Sequence, residues 1–220
     1  MSRILLPENF CNSEALVCGL TAEMISKGVG YAHNILDVLD ASLLERNAPR
    51  MSGLVELANF SSIIGNLLAT GIVEASNGVF LRAGPHKYQD LRASGSNPEA
   101  QNIEIKVALA KNKPKGHLAK AGYYMTCRYV LSDAEGDYKP GDRGEVVWIW
   151  ELRFGHLEEN HFGLSNTSGD SGKTAVVNSA GMDQLRIIYF DPKRCPYARV
   201  DRFMQRNGLL TTGALPEVEE

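Results

Sequence analysis

Residues 102–108 read Asn-Ile-Glu-Ile-Lys-Val-Ala. Branched apolar residues at alternate positions give the period of a β-strand, because successive side chains leave a strand on opposite faces. Ile103, Ile105 and Val107 therefore share one face, and Glu104 and Lys106 share the other. A carboxylate and an ammonium on a strand otherwise suited to burial need a reason. Just upstream, Ala93–Gln101 holds Gly95, Asn97 and Pro98 and reads as a turn. A hairpin centred on Asn97 sets Asp90 opposite Glu104, each seven residues away, with Cβ atoms about 5 Å apart. Two carboxylates at that spacing repel unless a proton or cation lies between them. A hard divalent ion such as Mg²⁺ suits a site lined by oxygen. Lys106 would stand beside the metal-bound water and offset charge developing on a phosphate.

Outward from this strand, the chain divides into two textures. The first 72 residues read as helical. Ser13 is a candidate cap for a stripe at Leu16, Val17, Leu20 and Met24, with Gly28 as its stop. A second helix is expected over Asn34 to Glu45, and a third from near Ser52 to Gly71 through Leu54, Leu57, Ile64 and Leu68. Short strands follow, at Val79–Leu81, His86–Arg92, Asn102–Ala108, Gly122–Leu131, Glu145–Phe154, Ala175–Asn178 and Leu185–Phe190. Helices first and strands later imply an α/β or α+β domain with a mixed central sheet. Residues 1–220 are read as one domain, 1–72 a helical region and 73–220 the catalytic and recognition core.

Composition narrows the function. Apolar types make up 44% and charged types 22% of 220 residues, which excludes disordered, collagen-like and coiled-coil chains. The apolar runs fall short of the roughly 20 residues of a membrane span, and Pro7, Glu8 and Asn9 interrupt any secretory signal. Cys11, Cys18, Cys127 and Cys195 lack CxxC spacing, so neither a zinc site nor a disulfide framework is expected, and the expected location is the cytoplasm. A net charge of −3 excludes a protein that merely coats nucleic acid, since that affinity comes from an excess of Lys and Arg. Local basic patches around an acidic, metal-binding centre remain compatible with DNA.

The array of Asp90, thirteen intervening residues and Glu104-Ile105-Lys106 resembles the PD-(D/E)xK motif of the restriction-endonuclease-like nucleases. The resemblance covers roughly residues 50–154, with Gln89 where that family often has proline. It implies a restriction-endonuclease-like core, a mixed central β-sheet flanked by helices. It further implies Mg²⁺ held by Asp90, Glu104 and the backbone carbonyl of Ile105, with Lys106 serving the attacking water. Glu56 matches an accessory carboxylate of some members. The expected activity is that of a type II restriction endonuclease, hydrolysing double-stranded DNA at a fixed site. It would act as a homodimer, with the helical N-terminal region as the dimer surface. The alternatives are a repair or structure-directed nuclease of the same superfamily, or a nucleotide- or DNA-binding module without hydrolysis.

Flanking residues fit a phosphate backbone. Lys111, Lys113, Lys115, His117 and Lys120 form a basic loop after the motif strand, placed to grip phosphates. The loop Ser165–Lys173 resembles the region where restriction endonucleases read bases; Asn166, Ser171 and Lys173 are candidates there. Two other [DE]xK matches fail on context: Asp137-Tyr138-Lys139 lies in a Gly/Pro loop, and Asp191-Pro192-Lys193 has a proline that a paired strand rejects. Gly172-Lys173-Thr174 lacks the earlier glycine of a P-loop, so no nucleotide cofactor is expected. His156 and His161, five apart, do not share a helix face as an HExxH zinc site requires.

Overall fold

The computed structural model describes residues 3–84, 88–116, 119–165 and 174–209. Two long helices come first: α1, Ala22–Leu44, and α3, Leu57–Ala75, joined through the single turn α2, Met51–Leu54. The expected break at Gly28 does not occur, and Ser13 heads a 3-10 turn instead of capping a helix. The N-cap of α1 is Thr21, whose hydroxyl accepts from the Met24 N–H at 3.2 Å. Gly28 and Gly71 stay inside their helices because the two backbones cross there. A Cβ on Gly71 would stand 2.5 Å from Tyr31 Cβ and 2.9 Å from Gly28 Cα. Packing, not helix termination, explains these glycines. By length and composition α3 could cross a membrane, at a mean hydropathy of 1.2, so its apolar run is longer than the sequence reading allowed. Its apolar residues Phe60, Ile64, Leu68 and Ile72 are buried within the main core.

Nine strands follow among the described residues. The main sheet is built from β1 (Phe80–Arg82), β2 (Leu91–Ala93), β3 (Ile103–Leu109), β5 (Gly122–Ser132), β6 (Val146–Leu157) and β9 (Arg186–Phe190), neighbours in that order. All neighbours are antiparallel except β3 and β5, which run parallel. A smaller antiparallel sheet holds β4 (Lys115–Gly116), β8 (Thr174–Val177) and β7 (Phe162–Ser165). The expected mixed central sheet with flanking helices is present. Strand β7, the two-residue β4 and the short helices α4 (Ser179–Gln184) and α5 (Val200–Arg206) go beyond the sequence reading.

The sheet is buried on both faces, which explains its nearly continuous apolar strands. One face packs on α1 and α3 through Ile103, Ile105, Met125, Tyr129 and Ile149. The other carries Val130, Trp150, Ile187 and Phe190 against Phe203 and Met204 of α5. All four cysteines are free thiols. Burial pushes Cys11 and Cys195 up to about 11, so both are protonated and poorly nucleophilic near neutrality.

Candidate functional site

Strand β3 carries the site because its outer edge is left open. Its pairing with β2 consists of Leu91 opposite Ile103; from Glu104 onward, among the described residues, β5 alone pairs with it. A cleft of about 570 Å³ runs along this edge. Ser61, Ser62 and Asn66 of α3 form one wall, and Lys115, Gly116 and Thr174 of the small sheet form the other.

Asp90, Glu104 and Lys106 all line this cleft. The Leu91–Ile103 pair continues directly to Asp90 beside Glu104, the register expected from a turn centred on Asn97. The local bonds hold both carboxylates in place. Asp90 Oδ2 accepts from the Ile105 N–H at 2.8 Å, and Glu104 Oε2 accepts from the Gln89 N–H at 2.7 Å. The Lys106 ammonium pairs with Glu104 Oε1. Glu104 is 8% exposed, so its charge depends on these donors.

Gln89 now has a physical reason. Its φ is +71°, a conformation closed to proline, and its N–H is the donor to Glu104. Proline at this position would lose both. Gly116 has one as well: a Cβ there would lie 2.5 Å from Lys106 Nζ. The glycine leaves room for the amine. Ile105 presents its N–H to Asp90, and a strand residue's N–H and C=O leave on the same edge. Its carbonyl therefore faces the open edge too.

The donor set suits a hard cation. Two carboxylates and a main-chain carbonyl offer oxygen only, and Mg²⁺ completes its octahedron with water. Among the described residues no three His, Cys, Asp or Glu side chains gather, so an ion here would have two acidic side chains. In the structure the Lys106 ammonium supplies the countercharge to Glu104.

Other expected site residues fall in several places. Lys113 and Lys115 line the cleft and are exposed; Lys113 Nζ also donates to Ser179 Oγ at 2.8 Å. Glu56 departs from expectation. It is the exposed N-cap residue of α3, ahead of the inner turn, and is not among the cleft-lining residues. His117, Asn166, Ser171 and Lys173 lie outside the described residues. His156 and His161 both bond to Glu158: His156 through its side chain at 3.2 Å, His161 by accepting its backbone N–H at 3.0 Å. They close off the end of β6.

Some features escaped the sequence reading. Tyr88, two residues before Asp90, hydrogen-bonds Tyr124 at 2.8 Å and lies under Lys120 Nζ, 4.4 Å from its ring. Burial holds the Tyr88 hydroxyl above its ordinary range, as do Glu104 and Asp90 more weakly, so it stays protonated. Arg128, Glu151 and Arg153 form a buried cluster on β5 and β6, with both guanidinium groups bonded to the one carboxylate. Three charges inside otherwise apolar strands were the available signal. Compared with models of known families and with curated proteins, the chain matches none of them.

Proposed function

We propose that this chain is a Mg²⁺-dependent endodeoxyribonuclease of the PD-(D/E)xK kind, acting as a homodimeric type II restriction endonuclease on double-stranded DNA. The observation that carries the reading is the convergence of Asp90, Glu104 and Lys106 on the open edge of β3, inside one cleft. Asp90, Glu104 and the Ile105 carbonyl would hold the ion. When bound, it would polarise a phosphate oxygen and lower the pKa of its water.

The chain's own groups do the rest. The Gln89 and Ile105 N–H groups fix the two carboxylates before substrate arrives, so little reorganisation is needed during reaction. Lys106 pairs with Glu104 and would be freed from it were a divalent cation to supply the countercharge. Its amine is then available to the attacking water and to the developing phosphate charge. Lys113 and Lys115, exposed along the cleft, neutralise neighbouring phosphates.

Incubation of the full chain with unmethylated phage DNA and Mg²⁺, followed by end sequencing, tests the proposal. Discrete fragments sharing one end sequence are expected, and EDTA should abolish them. Smears or nicks would replace site-specific cutting with a structure-directed nuclease. No hydrolysis with Mg²⁺ or Mn²⁺ would leave a binding module and overturn the enzymatic reading.

A further inference from the structure

A second cleft, about 350 Å³, opens on the same sheet face as Glu104 and Lys106. The register aligns Lys106 of β3 with Thr126 of β5 and Arg153 of β6. Lys113 lines both clefts. Seven of the fourteen residues lining the second cleft are Lys or Arg, against the single acid Asp183. In a chain of net charge −3 that concentration is not a random sample of the surface.

The floor is built from buried charge. Arg128 and Arg153 are each 4% exposed and share the fully buried Glu151. One carboxylate between two guanidinium groups leaves an uncompensated positive charge, which is costly unless an anion or solvent meets it. Arg153 is spent on protein acceptors, the Met182 carbonyl and Asn207 Oδ1 at 2.8 and 2.9 Å. Arg128 is not. Its Nε bonds Glu151 and its Nη1 meets the Tyr197 hydroxyl at 3.3 Å, while Nη2 has no acceptor among the described residues. Thr126 Oγ1, in register between Lys106 and Arg153, is buried and without a partner among the described residues as well. Around the rim, Lys111, Arg199 and Arg202 are exposed and make no ion pair among the described residues. Tyr197 and Phe203 stack at 4.8 Å to form an aromatic wall.

We infer that this second cleft binds the terminal phosphate of a nucleotide, at a site separate from the one that would hold a scissile phosphate. A phosphomonoester carries up to about two negative charges and three acceptor oxygens, which match a recessed guanidinium ringed by exposed cations. Planar arginine forks favour such oxygens. A phosphodiester in mid-strand carries one charge and continues on both sides, which a recessed floor accommodates poorly. A strand end and a free mononucleotide both carry such a group, and the probes below separate them. The inference does not depend on hydrolysis in the first cleft.

The structure supplies the reporter. Trp150 lies 4.6 Å below the Arg128 guanidinium and contacts Tyr197 and Phe203. In a Trp148→Phe background, Trp150 fluorescence of the full chain in EDTA is titrated with four probes. These are a 5′-phosphorylated oligonucleotide, the same oligonucleotide with a 5′-hydroxyl, dAMP and inorganic phosphate. At least tenfold tighter binding of the phosphorylated strand than of its hydroxyl counterpart supports a strand end. Tighter binding of dAMP than of either strand supports a free nucleotide. In both cases Arg199→Gln/Arg202→Gln, on exposed side chains, should weaken binding about tenfold and flatten its salt dependence. Arg46→Gln, exposed and outside both clefts, should leave it unchanged. Equal affinity for the two strands with no response to dAMP or phosphate overturns the inference, as does undiminished binding by the double variant. Cleavage failing while phosphate binding persists would remove the nuclease reading alone.

Discussion

Replacing Lys106 by Met separates chemistry from stability. The two partners of the Lys106–Glu104 pair have side chains 15% and 11% exposed, so the pair is shielded but not sealed. Methionine keeps most of the aliphatic stem that runs past Gly116 and removes only the ammonium. Glu104 then retains the Gln89 N–H as its donor. Loss of one partner to a mostly buried charge costs about 1–3 kcal/mol. For a chain of this size that lowers Tm by about 2–12 °C, at about 2–4 °C per kcal/mol. Removal of a group serving proton transfer costs about 10²- to 10⁴-fold in rate, or about 2.7–5.5 kcal/mol of barrier. Catalysis should therefore fall far more than stability. The assay is single-turnover cleavage of plasmid at 25 °C, beside a thermal melt of the same preparation with and without Mg²⁺. A further expectation concerns the ion: Mg²⁺ should raise the Tm of Lys106→Met more than that of the parent, because no ammonium competes for Glu104. A variant that cuts within about threefold of the parent would refute the role given to this lysine. An identical Mg²⁺ response in the two proteins would refute the competition.

Three other outcomes follow from the packing. Glu151→Gln strands two buried guanidinium groups; the cost should be about 3–5 kcal/mol, read in urea melts, and a loss below about 1 kcal/mol would show the cluster already solvated. Gly71→Ala gains about 1 kcal/mol of helix propensity but drives a Cβ to 2.5 Å from Tyr31 Cβ; overpacking of about 1–3 kcal/mol should win, and a stabilised variant would contradict the close crossing. His33 is buried with its Nε2 accepting the Ile149 N–H at 3.0 Å; burial, then Arg3 and Arg194, depress its pKa well below 6.5. The unfolded chain takes up this proton near pH 6.5 and the folded chain does not. Stability is thus complete above that pH and declines below it by up to about 1.4 kcal/mol per unit. His33→Gln should flatten the acid limb of Tm against pH, and an unchanged limb would assign it to other groups.

How much of this was legible before any coordinates depends on distance along the chain. Glu104 and Lys106 sharing a strand face, and Asp90 across from Glu104, follow from a two-residue period and a short turn. Both signals are local. The helix boundaries were misjudged at Gly28 and Gly71 because those residues answer to each other, about forty positions apart, and a local rule reads them as stops. The position of Glu56 was hard to read for a similar reason: its place relative to the cleft depends on where α3 begins, which α2 and the Val55–Glu56 link decide. The second cleft was invisible because Arg128, Arg153, Arg199 and Arg202 come from three separate segments. The charge within the β5 and β6 sequences and the basic run Arg199, Arg202 and Arg206 near the C-terminus hinted at its parts, not at their meeting.

Helix α3 has a consequence for how the cleft can vary. Toward α1 it is locked at the Gly28–Gly71 crossing, and toward β3 a Cβ on Gly65 would come within 3.0 Å of Val107 Cγ2. Its remaining flank, with Ser61, Ser62 and Asn66, is the cleft wall. Small residues clamp this rod on two sides, so the mouth's width is set by contacts on the opposite flank. Bulk added at the crossing would act like a wedge behind a door, shifting the serines relative to Asp90 without altering one polar group. Variation in the shape of this cleft can therefore arise in the hydrophobic interior, where a comparison of polar residues would never look for it.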